Sequence, residues 1–263
     1  MSNITNREIH VVGIQRTGQH AITSWLIGHF DSVIYKNCMS QKGDRKGKVG
    51  IEPPFWEYSK SEEISRDLTN LRLDNSAIIL GTEFTIYDVG LNSKILKQKE
   101  QYCKELNVEQ FSEREDYVLV LRNPFNQYAS ILNWGRNKLL SSPENFSKMW
   151  VKMALECSGE TENFKNRTTL IYDDWFEHED YRRRIEDQLD LPHDDSRLNA
   201  VMKIGHGRSW GSSFDGMKSK ENAQKMDVLN RWKAVKDDPR FIELCKGREL
   251  VQWAEEFGWS CVI

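Results

Sequence analysis

Apolar runs alternate along the chain with segments whose apolar residues recur at helical spacing. The nearly continuous apolar runs predict buried strands over 8–14, 77–84, 117–121 and 168–172. Helical spacing predicts longer helices from Ala21 onward and over 125–139, 144–157, 175–189, 219–236 and 239–257. Strands that alternate with helices in this way indicate a parallel sheet covered on both faces.

The pattern between these elements separates no second domain. Ile64, Leu68 and Leu71 predict one short amphipathic helix, and the Gly-, Lys- and Pro-rich segment 36–60 predicts a long loop. We find no internal repeat and no linker composition. The prediction is a single α/β domain over 1–263: three layers, with a mostly parallel β-sheet flanked by helices.

Composition and charge exclude several classes of protein. The 263 residues carry 37 Lys plus Arg against 40 Asp plus Glu, a net charge of -3, and this balance argues against a nucleic-acid binder. No apolar run approaches the roughly 20 residues of a membrane helix. Five scattered cysteines without a CxxC pair predict reduced thiols, and with no signal-peptide pattern we expect a cytoplasmic chain.

A glycine-rich turn follows the first predicted strand and reads Gly13-Ile14-Gln15-Arg16-Thr17-Gly18-Gln19-His20. Glycines at this spacing let backbone N–H groups converge on a phosphate, and the helix that follows favours negative charge at its N-terminus. A P-loop that hydrolyses nucleoside triphosphates continues with Lys and Ser/Thr. Here Gln19 and His20 hold those positions, so the turn is P-loop-like without the usual magnesium hydroxyl. An ordinary strand-to-helix turn is the alternative.

A second motif follows the strand over 117–121. Arg122-Asn123-Pro124 ends this strand, and Ser130 lies eight residues after Arg122. The carboxyl ends of parallel strands meet at the edge where α/β sheets bind ligands. A guanidinium and a hydroxyl there suit a phosphate monoester, although a surface arginine and an ordinary helix serine would fit the same pattern.

Together the two motifs resemble those of the sulfotransferases that use 3′-phosphoadenosine 5′-phosphosulfate (PAPS). That family has a first turn G-x-x-[KR]-[ST]-G-[TS]-[TS] for the 5′-phosphosulfate, and a later R-[DN]-P with a serine eight residues after the arginine for the 3′-phosphate. A weaker similarity to the family's Y-E-D-L stretch covers Tyr172-Asp173-Asp174-Trp175. The resemblance departs at Gln19 and His20, where the family has small hydroxyl residues.

The resemblance implies a metal-independent, in-line transfer of a sulfuryl group from PAPS to a hydroxyl of a carbohydrate or small metabolite, leaving 3′,5′-ADP. Family members carry a catalytic His or Glu after the strand that corresponds to 77–84, which makes Glu83 the expected base. His20 and His206 are the reserve candidates. The resemblance also implies a catalytic role for Arg16 and, with the backbone amides of the turn, a cofactor-binding set of Gln15, Arg16, Thr17, Gly18, Gln19, His20, Arg122 and Ser130.

Further candidates lie outside these motifs. In the family a C-terminal basic loop often contacts the 3′-phosphate, which points to Arg208, Ser212 and Ser213. Trp56, Tyr58 and Trp134 are candidates for an acceptor pocket, although aromatic side chains are more often core residues. Two other interpretations stay open: a P-loop kinase, and a nucleotide-binding protein of the same fold without activity.

Overall fold

The computed structural model describes residues 6–36, 56–59, 63–65, 76–84, 99–100, 103, 110, 112–135, 137–200 and 227–261. Within them lie the strands β1 (Arg7–Ile14), β2 (Ser32–Lys36), β3 (Trp56–Ser59), β4 (Glu63–Ser65), β5 (Ser76–Phe84), β6 (Glu115–Leu121) and β7 (Arg167–Ile171). They form one sheet in the order β4-β3-β2-β5-β1-β6-β7. The strands β2, β5, β1, β6 and β7 run parallel, while β3 and β4 add an antiparallel edge beside β2.

Helices cover both faces of this sheet. They are α1 (Gln19–Gly28), α2 (Pro124–Trp134), α3 (Pro143–Ser158), α4 (Tyr172–Glu177), α5 (Glu179–Leu189), α6 (Pro239–Cys245) and α7 (Arg248–Glu256), with a short 3-10 helix over Arg231–Ala234. Successive residues of β1 point to opposite faces: Val11 packs with α1, α4 and α5, and Val12 packs with α2, α3, α6 and α7. The prediction of a three-layer α/β fold with a mostly parallel sheet is confirmed.

Several predicted elements differ from the structure. The predicted helix over 175–189 is two helices because His178 adopts an extended backbone, and the one over 239–257 is divided at Gly247. Ile64 lies in β4 and not in a helix. Within the predicted helix over 219–236, residues 231–234 form a 3-10 helix, and the part before 227 lies outside the described residues. The sequence pattern gave no sign of β2, and it placed β3 in a loop.

Two of the five cysteines are paired, so the expectation of reduced thiols throughout is wrong. Cys245 at the end of α6 and Cys261 near the C-terminus form a disulfide with a Cα–Cα distance of 6.2 Å. The 16 residues between them turn back through α7, which brings together two cysteines that look unrelated along the sequence. The chain between them also packs Phe257 and Trp259 against Trp150 of α3.

An ionic cluster lies near the amino ends of β1 and β6. His10 is fully buried and places Nε2 2.7 Å from Glu8 and 3.1 Å from Glu115. Lys99 Nζ lies 2.7 Å from Glu8 and 3.2 Å from Glu115. The hydrogen bonds from His10 and Tyr117 lower the pKa of Glu115 to about 2 against the opposing effect of burial, and the carboxylate hydrogen bonds raise the pKa of His10 against the same effect. Folding therefore favours the charged forms of Glu115 and His10.

No helix among the described residues is long and apolar enough to cross a membrane.

Candidate functional site

The glycine-rich turn connects the carboxyl end of β1 to α1, and both of its glycines are required by close contacts. A Cβ on Gly13 would lie 2.8 Å from Thr17 Oγ1. Gly18 has φ 99°, and a Cβ there would lie 2.2 Å from Cε2 of Tyr172. Larger residues are thus excluded at both positions, and within the turn the Thr17 N–H donates to the carbonyl oxygen of Ile14 at 3.2 Å.

Arg16 occupies the middle of the turn in a left-handed conformation, with φ 71°. This conformation costs a non-glycine residue about 1 kcal/mol, so surrounding contacts must hold it. Arg122 donates from Nη1 to the carbonyl oxygen of Arg16 at 3.1 Å, and Arg16 Nε donates to Ser130 Oγ at 3.2 Å. The Arg16 guanidinium also lies 5.7 Å from the ring centroid of Trp134. Arg122 and Ser130 of the second motif therefore hold Arg16 of the glycine-rich turn in place.

Arg122 is buried at the carboxyl end of β6 and links three parts of the chain. Besides its bond to Arg16, it donates to the carbonyl oxygen of Val228, and its guanidinium lies 4.7 Å from the ring centroid of Tyr172. Its own carbonyl oxygen accepts from Trp150 Nε1 at 2.9 Å. Among the described residues its hydrogen-bonding partners are carbonyl oxygens, and the buried carboxyl group of Asp173 lies close enough to interact with its charge.

The sequence after Arg122 begins α2 and places Ser130. The side chain of Asn123 caps the helix by accepting from the N–H groups of Phe125 and Asn126 at 3.0 and 3.2 Å, and Pro124 fits the first turn. The N–H of Asn123 donates to Asp173 at the carboxyl end of β7. Burial raises the pKa of this Asp173 carboxyl group, and Arg122 opposes that shift. The capped start of α2 thus fixes the position of Ser130 along this helix.

Arg231 completes the site and was not anticipated from the sequence. Its Nη1 donates to Ser130 Oγ at 3.0 Å, so this hydroxyl accepts from two guanidinium groups and keeps its own proton for donation. Burial, together with the positive charges of Arg122 and Arg16, lowers the pKa of Arg231 to about 9. The positive charges of Arg16 and Arg122 close to Arg231 create a positive potential, which favours an anion. No motif or spacing marks Arg231 in the sequence.

The structure places some of the predicted site residues next to one another. Gln19 directs its side-chain amide into the sheet, donating to the carbonyl oxygen of Thr82 at 2.6 Å, which leaves its backbone N–H in the first turn of α1 beside His20. Glu83 lies opposite Gly13 in the parallel register of β1 and β5, so its backbone comes next to the turn. Several predicted residues, or their side chains, lie outside the part of the chain that the structure describes. They are Glu83, Trp56, Tyr58, His206, Arg208, Ser212 and Ser213.

Two clusters with metal-ligand chemistry lie near other elements: Glu8, His10 and Glu115, and Glu186, His193 and Asp195. In the first, the Lys99 ammonium already contacts both carboxylates. In the second, the guanidinium of Arg182 holds Asp195 through Nη2 at 2.7 Å. Because these cations take the place that a metal ion would need, we assign neither as a metal centre.

Comparison with solved structures bears on this arrangement. A sulfotransferase domain from the Synechococcus PCC 7002 olefin synthase aligns with 99% of this chain and 98% of its own, with a TM-score of 0.54 and 14% sequence identity. The chain has a sulfotransferase-like fold. No protein-family model and no curated protein matches it. At 14% identity the likeness concerns the fold alone.

Proposed function

We propose that the protein transfers a sulfuryl group from PAPS to a hydroxyl acceptor, a carbohydrate or a small metabolite. The observation that carries the proposal is the convergence of Arg16 and Arg231 on Ser130 Oγ, with Arg122 bonded to the carbonyl oxygen of Arg16, beside a glycine turn that opens α1. Two anion-binding features side by side suit a ligand that carries two separate phosphate groups. The sulfotransferase-like fold supports the same assignment.

The residues present fit such a donor. The turn offers backbone N–H groups at a helix start, where only glycine fits at Gly13 and Gly18. Thr17 Oγ1 is buried against Gly13 and has no hydrogen-bond partner among the described residues. Ser130 and Arg231 would hold the 3′-phosphate, and the turn would hold the 5′-phosphosulfate.

The chain's own groups supply the rest of the chemistry. When bound, PAPS supplies the sulfuryl group and a phosphate oxygen that keeps the electron pair of the broken S–O bond. Arg16 and the amides of 16–20 stabilise the negative charge on that oxygen. Glu83 accepts the proton of the acceptor hydroxyl as its oxygen bonds to sulfur, so the products are a sulfate ester, 3′,5′-ADP and a protonated carboxyl group. His20 is the alternative proton acceptor.

A P-loop kinase is less well supported, because the position that would carry the phosphate-binding lysine is Gln19 and its amide is bonded to the sheet. The same observation favours the second candidate, a nucleotide-binding protein without turnover. The proposed sulfotransferase and this nucleotide-binding protein differ only in whether bound PAPS reacts. Binding and transfer must therefore be measured separately.

Calorimetry with 3′,5′-ADP and with Mg-ATP tests the nucleotide, and transfer of labelled sulfur from PAPS to a panel of sugars and small hydroxyl compounds tests the activity. We expect binding of 3′,5′-ADP in preference to Mg-ATP, and loss of transfer in Glu83→Gln with binding retained. The matched control is Glu162→Gln, which alters an exposed carboxylate after α3. Failure to bind 3′,5′-ADP would refute the proposal, and full activity in Glu83→Gln would remove Glu83 as the base.

A further inference from the structure

Gln15 is held at two points by residues that belong to neither motif. Its backbone carbonyl accepts from Nε2 of Gln127, a fully buried residue of α2, at 2.9 Å. Its side-chain Oε1 accepts from Nδ2 of Asn137 at 2.7 Å. A residue that merely connects β1 to α1 needs neither contact, so the two bonds indicate that the position of this carboxamide matters.

The hydrogen bonds around Asn137 determine which way the Gln15 amide faces. Asn137 Oδ1 accepts from the backbone N–H groups of Leu139 and Leu140, both at 3.1 Å. The other end of this amide, Nδ2, must therefore be the end that contacts Gln15. Because Nδ2 can only donate, Gln15 must present its oxygen to Asn137, and its own Nε2 faces away.

The outward end of Gln15 is thus a fixed donor at the edge of the anion-binding turn. Among the described residues, Gln15 Nε2 donates to no acceptor, and the side chain is only half-buried. The next residue along the chain is Arg16, which contacts Ser130 and Trp134. In the proposed function the turn and the start of α1 hold the phosphate, whereas Gln15 precedes them on the strand side of the turn.

We infer that Gln15 is a catalytic residue, whose Nε2 donates a hydrogen bond to an oxygen of the sulfuryl group, and that Asn137 is the positioning residue that fixes this orientation. The inference rests on the proposed function. Negative charge is carried by the sulfuryl oxygens during the transfer, and a donor already oriented toward them needs no rearrangement as the bonds change. Asn137 contributes only through Gln15.

The variant Asn137→Asp separates orientation from folding. An aspartate still accepts from the N–H groups of Leu139 and Leu140, so the turn is kept. It has no donor for Gln15 Oε1, and its charge attracts Nε2, so the carboxamide turns round and presents oxygen to the sulfuryl group. Gln15→Met removes the donor directly with a side chain of similar length. For both variants we expect kcat to fall roughly 100-fold.

Binding measurements distinguish the sulfuryl group from the phosphate. By calorimetry without acceptor, both variants should lose about tenfold in affinity for PAPS and keep their affinity for 3′,5′-ADP within about twofold. The matched control is Asn145→Asp, which makes the same charge change in the first turn of α3 and removes a donor to the carbonyl oxygen of Leu139. It should keep wild-type kcat and PAPS affinity.

Each outcome of these measurements either supports or overturns the assignment of Gln15. Equal losses for PAPS and 3′,5′-ADP would place the Gln15 contact on the phosphate and overturn the inference, as would unchanged kcat and PAPS affinity in the two variants. An equal loss in Asn145→Asp would show that any disturbance of the turn suffices, which also overturns it. In each of these cases the wild-type protein still binds and transfers. A wild type that binds neither nucleotide refutes the proposed function itself.

Discussion

Replacing Arg231 by methionine should stabilise the protein and weaken its ligand binding at the same time. Arg231 is 5% exposed, and its pKa falls from 12.5 to about 9 because of burial and the charges of Arg122 and Arg16. A base whose pKa is lowered by folding destabilises the fold while it is protonated. This cost is present at neutral pH, and it is lost only as the pH rises through about 9 toward 12.5.

The size of the effect follows from the pKa change. At about 1.36 kcal/mol per pKa unit, the charged form is disfavoured by about 4–5 kcal/mol. Methionine fills similar space without the charge, but it loses the hydrogen bond to Ser130, which is worth about 1–2 kcal/mol. Partial relaxation around Arg231 reduces the gain further. We expect the free energy of unfolding to rise by about 1–3 kcal/mol, which raises Tm by about 2–8 °C.

Ligand binding should move in the opposite direction. Loss of a charge-assisted contact to an anion costs about 2–3 kcal/mol, so the Kd for 3′,5′-ADP should rise about 30- to 150-fold. Differential scanning fluorimetry gives Tm, and calorimetry gives Kd. Arg183→Met is the control, because Arg183 is exposed on α5 and pairs with Glu179. A lower Tm in Arg231→Met with Kd within threefold of wild type would refute the reasoning and make Arg231 an ordinary structural residue.

Three further predictions concern other parts of the molecule. Gly18→Ala should lower the free energy of unfolding by about 2 kcal/mol or more, measured by urea titration, because φ is 99° and the new Cβ would lie 2.2 Å from Tyr172. Folding lowers the pKa of Glu115 to about 2, so its contribution to stability is present above pH 4.5 and is lost as the pH falls toward 2. The variant Glu115→Gln should therefore flatten the acid denaturation profile in this pH range. Reduction of the Cys245–Cys261 disulfide should cost about 3 kcal/mol, measured by denaturation with and without reductant.

Controls sharpen these three predictions. Gly159→Ala has a positive φ of 92° without a comparable backbone or ring clash, so it separates strain from contact with Tyr172. Glu144→Gln removes an exposed carboxylate of α3 whose ion pair with Lys148 is screened by solvent, so it should change the acid profile less than Glu115→Gln. Cys157→Ser leaves the disulfide in place, and its stability should still depend on reductant. Equal losses in the two glycine variants, equal acid profiles in the two glutamate variants, or a Cys157→Ser protein insensitive to reductant would contradict the corresponding prediction.

The fold was predictable where a single periodicity decides the structure. The apolar runs that became β1, β5 and β6 are buried on both faces, so hydrophobicity alone identifies them, whereas β7 alternates buried with partly exposed residues. The short strands β2, β3 and β4 were not predictable in the same way, because they depend on pairing with neighbours far along the chain. The disulfide has the same origin, since only the turn through α7 brings Cys245 to Cys261.

Some residues of the candidate site were likewise predictable from local sequence patterns, and others were not. Gly13, Gly18 and the Arg122–Ser130 spacing are local patterns, and their elements place them at one edge of the sheet. Arg231 lies 101 residues from Ser130 and contacts it only because Asn126 anchors the intervening backbone at Leu229. Gln19 illustrates the reverse case. Its type suggested a ligand contact, whereas the nearby carbonyl oxygen of Thr82 takes its side-chain amide.

The carbonyl oxygens of Gln15 and Arg16 have a consequence for how fast the protein captures its ligand. The first accepts from Gln127 of α2 and the second from Arg122 at the end of β6, so the turn takes its shape when the chain folds. Association then requires no ordering of this segment, and the conformational entropy of the turn does not enter the binding free energy. The rate of capture is set by diffusion and by attraction to the arginines, and it should fall as ionic strength rises.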